Sequence, residues 1–282
     1  VPILGYDQLI ADPLFQRIAG GNATAILILD YDGTLAPFVE NPSDARPYPD
    51  VSRILDDLPL RGQGRYIIVS GRPCYEAAGM LGVKSPPEVW GCHGAERLHA
   101  GGLLSHEFAG PNGPAAAVLD ATLAAAGRAA AKVFPQARLE RKSCSLAAHW
   151  RGLDPAIIQV GSPALQSAWV PLAGEHCELL EFAAGLEIRP KSVNKGLAVL
   201  RVKAENPDSA LVYLGDDTTD EDAFRVLGKG DIAVLVQAVE RSSLAAFRIC
   251  PPVELVAFLD FWRQLHKGKR PRAVDETQER TL

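Results

Sequence analysis

The chain has 282 residues, enough for one large domain or two of moderate size, and its 47% hydrophobic and 22% charged content is the balance of a globular protein with a sizeable core. A net charge of −5 gives no electrostatic reason to expect a nucleic-acid partner, and no apolar stretch approaches the roughly 20 residues of a membrane span, so no membrane partner is expected either. Five cysteines (Cys74, Cys92, Cys144, Cys177 and Cys250) lie far apart without a C-x-x-C pair, which argues against a disulfide framework and a structural zinc site and for reduced thiols. The opening VPILGYDQLIADPL lacks the basic segment and long apolar core of a secretory signal, so a cytoplasmic location is expected.

Residues 7–20 predict one amphipathic helix. Ala25–Leu29 is short, continuous and apolar, as a fully buried parallel strand should be. It ends in Asp30, with Asp32 two residues on, then Gly33 and Thr34. The Pro-rich stretch FVENPSDARPYPD must be a loop. Val51–Leu58 reads as a short helix. Arg65–Val69 is a second buried strand, ending at Ser70-Gly71-Arg72, and Glu88–Gly91 is a short strand leading into CHGAE.

Composition then shifts. Alanine-rich Pro114–Phe134 predicts a long helix. Cys144, Leu146, Ala148 and Trp150 alternate with Ser145, Ala147, His149 and Arg151, a half-buried strand. Gly161–Leu172 reads as a helix, and Cys177–Phe182 with Leu186–Ile188 as a hairpin about Ala184-Gly185. Residues 108–187 therefore read as an inserted domain built on an antiparallel sheet, between a first core part, 1–107, and a second, 188–266. In the second part Asn194-Lys195-Gly196 opens a helix to about Lys203. Ala210–Leu214 is a third buried strand, ending in GDDTTDEDAF, and Ile232–Val236 is a fourth. Glu254–Leu265 closes the fold, and 267–282 reads as a polar, disordered tail.

The fold class is thus α/β, a Rossmann-like parallel sheet with an inserted α/β cap. Strands of such a sheet gather their carboxyl ends along one edge, where ligands bind. Asp30 and Asp32, Ser70, and Asp216, Asp217 and Asp220 all follow strands, and Lys195 starts a helix. Singly, each has an ordinary reading: a D-G turn, a Ser-Gly turn, a solvated helix-start lysine, an acidic helix N-terminus. Together they would place up to five carboxylates in one low-dielectric site, where they repel. A hard divalent cation answers that repulsion, and an all-oxygen donor set favours magnesium. The ammonium and hydroxyl suit a phosphoryl group.

The set DxDGT, SGR, a lysine before a helix and GDDxTDEDAF resembles the haloacid dehalogenase superfamily. HGAE at 93–96, LERKSCSLAAHWR, EIRPKSVNKG and YLGDDTTDEDAF narrow the resemblance to the trehalose-6-phosphate phosphatases, over about residues 24–260. Cys92 departs from that family's usual polar or small residue. The resemblance implies that Asp30 is a nucleophile forming an aspartyl-phosphate and Asp32 the general acid and then base. It implies that Ser70 and Lys195 bind phosphoryl oxygens. Magnesium would be held by the carboxylates of Asp30 and Asp216 and the carbonyl of Asp32, with Asp217 and Asp220 behind them. Gly71, Arg72, His93, Glu96, Glu140, Lys142 and Glu187 are the expected substrate-side groups; His149 and Arg151, on one face of a strand, are weaker candidates. The implied reaction is hydrolysis of trehalose 6-phosphate by a monomeric enzyme. The alternatives are phosphatases for sucrose phosphate, mannosylphosphoglycerate or a similar glycosyl phosphate, and a non-catalytic sugar-phosphate-binding regulator. The last would be expected to have lost a catalytic acid, and none is missing.

Overall fold

Residues 3–21, 24–107, 114–182 and 184–266 are described by the computed structural model. The chain begins with two helices where one was expected: α1 (Tyr6–Ala11) and α2 (Pro13–Ala19). The break falls at Asp12, because Pro13 has no amide to continue α1, while the Asp12 carboxylate caps α2 by accepting from the amides of Leu14 and Phe15. There follow β1 (Thr24–Leu29), α3 (Val51–Asp56), β2 (Tyr66–Val69), α4 (Cys74–Met80) and β3 (Glu88–Gly91). Next come β4 (Glu96–Leu98) and β5 (Leu104–His106), whose three residues each are too few to show a period in sequence. The middle segment holds α5 (Pro114–Val133), β6 (Arg138–Arg141), β7 (Leu146–His149), α6 (Pro155–Ala173), β8 (Cys177–Phe182) and β9 (Gly185–Pro190). The chain ends with α7 (Lys195–Glu205), β10 (Ser209–Gly215), α8 (Glu221–Val226), β11 (Ile232–Val236), β12 (Phe247–Ile249) and α9 (Val253–His266). The strand expected over Cys144–Arg151 is shorter, because residues 142–145 form the turn out of β6, closed by the Lys142 amide donating to the Ser145 carbonyl at 3.0 Å. The tail from 267 and the boundary at 108 lie outside the described residues. Among the described residues no helix is long and apolar enough to cross a membrane.

Eight strands form the large sheet in the order β12-β11-β10-β1-β2-β3-β4-β5. All are parallel from β12 to β3; β4 and β5 run antiparallel at one edge. Strand β1 is buried on both sides, as its unbroken apolar run requires. Its Leu27 and Leu29 pack with Phe15 of α2 and Phe258 and Trp262 of α9. Its Ile26 and Ile28 pack on the opposite layer with Val199 and Val202 of α7 and Phe224 of α8. Burying each such side chain contributes roughly 1.5–3 kcal/mol. From β1 the chain winds outward through β2 and β3, then returns to β10 on the other flank of β1. The strand order therefore reverses between β1 and β10, and the crevice at their carboxyl ends is the natural ligand site of this topology.

The smaller sheet, ordered β6-β7-β9-β8, is antiparallel throughout. One face, through Leu146, Ala148, Leu186 and Ile188, packs on α5 and α6, where Leu123, Leu165 and Trp169 complete a separate core. The alternate residues, including Glu140, His149 and Glu187, point from the other face towards the carboxyl ends of the large sheet. A small apolar seam of Cys92, Ala95, Cys144 and Val193 joins the two units.

Candidate active site

Asp30 leaves β1 with its amide donating to the Leu214 carbonyl of β10, so the two strand tips stay paired up to the acid. Asp216 follows β10 directly. Both are buried, and Thr34 bridges them, its hydroxyl 3.4 Å from Asp30 Oδ2 and 3.3 Å from Asp216 Oδ1. Gly33 makes the approach possible: its φ is +83°, and a Cβ there would lie 2.0 Å from Asp216 Oδ2. Burial pushes Asp30 up to about 7, against the pull of Lys195 and with a push from Asp220. Asp216 is driven well above the usual carboxylate range by burial, then by Asp30 and Asp220.

Lys195 is the first residue of α7, and its ammonium is buried between two acids, 2.7 Å from Asp30 Oδ1 and 2.8 Å from Asp220 Oδ1. Burial alone would lower its pKa, but Asp220 and Asp30 outweigh that and hold the amine above its ordinary range. Asp220 is fully committed. Its Oδ1 also accepts from the Tyr213 hydroxyl at 2.7 Å, and its Oδ2 accepts from the amides of Asp216 and Asp217. It therefore fastens the lysine and the loop and has no oxygen to spare. Carboxylate oxygens of Asp30, Asp216 and Asp220 gather within 4.8 Å of one another. Fully ionised, and with one ammonium among them, they leave two negative charges uncompensated. Asp30 and Asp216 are less committed, since their contacts to the Thr34 hydroxyl are long, 3.4 and 3.3 Å, and share a single proton. Hard oxygen donors, excess negative charge and a buried pocket fit a magnesium ion. Asp217 stands at the rim and caps the turn Thr218–Asp220 through the Thr218 amide at 2.7 Å.

Asp32 faces a cleft of about 620 Å³ between the two sheets. Its carboxylate is gripped by Arg72 through two parallel bonds, Nε to Oδ2 at 2.6 Å and Nη2 to Oδ1 at 2.7 Å. Arg72 thus sits on an acid, and its remaining nitrogen pairs with Glu76. Ser70 directly follows β2; its hydroxyl oxygen accepts from the Arg72 amide at 3.1 Å, which leaves its proton free to be donated. Gly71 lies under the His93 ring, where a Cβ would come within 2.8 Å of Cε1. Glu96 does not line the cleft: its Oε2 accepts from the Cys74 amide at the start of α4, a favourable place for an acid.

The far wall of the cleft carries the charged groups expected there. Glu187 is 2% exposed; its carboxylate takes the ammonium of Lys142 at 3.3 Å, the hydroxyl of Ser145, and lies 3.5 Å from Nε2 of His93. Burial would raise the Glu187 pKa, but Lys142, His93 and Ser145 together hold it well below the usual range. Lys142 is held above its ordinary value, Glu187 and Glu140 outweighing burial. Burial is the main reason that the His93 imidazole is lowered to about 4, so it is neutral at physiological pH. His93 comes from the large-sheet unit and Glu187 from the smaller one, so this cluster spans the cleft. Glu140 pairs with Nε2 of His149 at 2.7 Å, and that contact, more than Lys142, holds its carboxyl down. The guanidinium of Arg151 lies 5.8 Å from the ring centre of Phe38, on the opposite wall.

Several residues of the site are silent in sequence. Tyr213 sits inside an apolar strand and looks like core. Thr34 is one letter of a turn. Arg241 comes from a loop with no motif, yet it donates to the Asp216 and Asp217 carbonyls at 3.0 Å and fixes the acidic loop from behind. Glu76 shows only as an i+4 partner of Arg72 on α4.

A family model described as trehalose-phosphatase matches residues 28–248. The trehalose-phosphate phosphatase of Mycobacterium tuberculosis (strain ATCC 25618 / H37Rv) is 29% identical over 259 residues, covering 86% of this chain and 62% of that protein. That of Mycobacterium avium (strain 104) is 32% identical over 263 residues, covering 86% of this chain and 63% of that protein. The chain therefore spans somewhat less than two thirds of the length of these relatives. Among solved structures, the C-terminal domain of trehalose-6-phosphate phosphatase from C. albicans superposes with a TM-score of 0.72 at 23% identity, covering 93% of this chain and 98% of that one.

Proposed function

The chain belongs to the trehalose-phosphatase family, and from that premise we propose that it is a magnesium-dependent phosphatase that hydrolyses trehalose 6-phosphate to trehalose and inorganic phosphate. The observation that carries the reading is one constellation: a buried Asp30 held by Lys195, with Asp216 beside it, opening into a cleft whose far wall presents Glu140, Lys142 and Glu187. A phosphoryl group needs the first part. A polyhydroxylated sugar suits the second, because paired buried charges offer strong acceptors and donors to hydroxyls. The cleft is far roomier than a phosphate alone requires and lies in the ordinary range for small-molecule sites.

In the reaction that these residues support, an oxygen of Asp30 attacks phosphorus. The bond from phosphorus to the sugar oxygen breaks, and Asp32 gives its proton to the departing alkoxide. Asp32 then takes a proton from water, which attacks the aspartyl-phosphate and releases phosphate and the free Asp30 carboxylate. Lys195 fixes the rotamer of Asp30 and draws charge from the phosphoryl oxygens, and Ser70 donates to one of them. Magnesium, held by Asp30, Asp216 and the Asp32 carbonyl, would neutralise the carboxylates and the phosphoryl charge. The five free thiols are in keeping with a reducing, cytoplasmic setting.

The test is phosphate release across a panel: trehalose 6-phosphate, sucrose 6-phosphate, mannosylphosphoglycerate and p-nitrophenyl phosphate. Trehalose 6-phosphate should lead the other sugar esters in kcat/KM, on the order of a hundredfold, since a wall built to bond hydroxyls penalises misplaced ones. Asp30→Asn should have no measurable turnover while keeping its circular dichroism. An active Asp30→Asn protein would sink the mechanism, and a different preferred ester would move the assignment to that substrate.

A further inference from the structure

We infer that Arg72 is a positioning residue for the proposed acid–base group Asp32, and that it couples the orientation of Asp32 to the loop that walls the cleft. The inference rests on the catalytic reading above. Its basis is where the guanidinium is committed. Nε and Nη2 grip both oxygens of Asp32, at 2.6 and 2.7 Å, in the planar fork that fixes a carboxylate's rotation as well as its place. Nη2 also donates to the Pro42 carbonyl at 2.9 Å, and Nη1 pairs with Glu76 of α4. One face lies 5.7 Å from the centre of the Tyr31 ring. Every nitrogen of the group is thus engaged by protein atoms, and the side chain is 10% exposed. Four of its five N–H donors are thus committed, and only one, on Nη1 beside Glu76, is left for any other acceptor.

The backbone adds to this. The Arg72 amide donates to the Ser70 hydroxyl, and its carbonyl accepts from the Cys92 amide at 2.8 Å, so the residue is anchored to the phosphoryl side of the site. Asp32, by contrast, follows β1 on a turn and is 29% exposed to the cleft. A carboxylate there is free to rotate about two bonds, and proton transfer demands a particular direction. Arg72 supplies that direction. Because Pro42 belongs to the loop that lines the cleft, a shift of that loop is felt at Asp32 through one guanidinium.

The experiment is a double-mutant cycle on the full chain with magnesium, using Arg72→Met, Arg72→Lys, Asp32→Asn and Arg72→Met with Asp32→Asn, read as kcat and KM for trehalose 6-phosphate. Arg72→Met should lower kcat by about a hundredfold and leave KM within about threefold, the signature of a misaligned acid–base group. Arg72→Lys should not restore the rate, because a point charge cannot hold the fork. In the Asp32→Asn background the loss of Arg72 should cost at most about a further threefold. Additive losses, or a raised KM with kcat intact, would show that Arg72 meets the substrate itself and overturn the inference. An Asp32→Asn protein with normal turnover would defeat the catalytic reading, and this inference with it, so the two failures are told apart. If Arg72→Met does not fold, Glu76→Gln loosens Arg72 from its exposed side. It must then lower kcat, and must cease to do so once Asp32 is Asn.

Discussion

His93 offers the sharpest physical prediction, because a buried neutral imidazole joins the two units. Its ring is enclosed, Nδ1 has no hydrogen-bond partner among the described residues, and Nε2 faces Glu187. Burial, opposed by Glu187, lowers its pKa from 6.5 to about 4. That preference for the neutral form amounts to roughly 3 kcal/mol. Above pH 6.5 the imidazole is neutral in folded and unfolded chains alike, and the stability associated with it is fully present. As the pH falls, the unfolded chain takes up the proton first, so the native state loses stability progressively until about pH 4. The test variant is His93→Asn. The residue has φ +58°, a left-handed conformation that asparagine tolerates better than most. Asp30 works in the opposite direction: its raised pKa favours the fold as pH drops. The absolute curve is therefore a poor guide, and the difference between wild type and variant is the quantity to measure. From pH 7 to pH 4 the wild type should lose about 3 kcal/mol relative to His93→Asn, or roughly 6–12 °C in melting temperature for a chain of this size. Thermal unfolding in matched buffers reads it directly. Parallel curves over that interval would refute the account of His93 as a group buried neutral at the junction.

Two further outcomes follow from the site. Magnesium should raise the melting temperature of the wild type by roughly 5–10 °C at a hundredfold excess over its Kd, since such binding adds about 2.7 kcal/mol. Asp216→Asn should lose most of that gain, and an undiminished shift in the variant would place the ion elsewhere. On the far wall, Glu140→Ala or Glu187→Ala should reduce kcat/KM for trehalose 6-phosphate ten- to a hundredfold, from roughly 1.5–3 kcal/mol for a hydrogen bond to a charged group. Hydrolysis of p-nitrophenyl phosphate should change little; if both substrates fall together, these acids support the fold rather than the sugar.

The candidate site is legible in the chain because its signals are local. An unbroken apolar run ending in Asp30, another ending in Ser70 and a third ending in Asp216 each state a buried strand and the polar group at its tip, and the parallel topology brings such tips together. The long helices and the hairpin about Ala184-Gly185 are equally local, since their periods repeat over enough residues to be seen. Short elements are not: β4, β5, β6 and β12 have three or four residues each, too few for a period. The pairings within the site are decided by the tertiary structure. Arg72 grips an acid 40 positions away, and Lys142 meets Glu187 across 45. Tyr213 fastens Asp220 from inside what reads as a plain core strand. Glu187 alternates with apolar Leu186 and Ile188 as a solvated strand residue does, and Glu140 and Lys142 stand in the polar run LERKS, so sequence pattern cannot tell a wet face from a cleft wall. Charged side chains gain or lose their partners through strand register and the stacking of one sheet over another, and neither is written in any local stretch of residues.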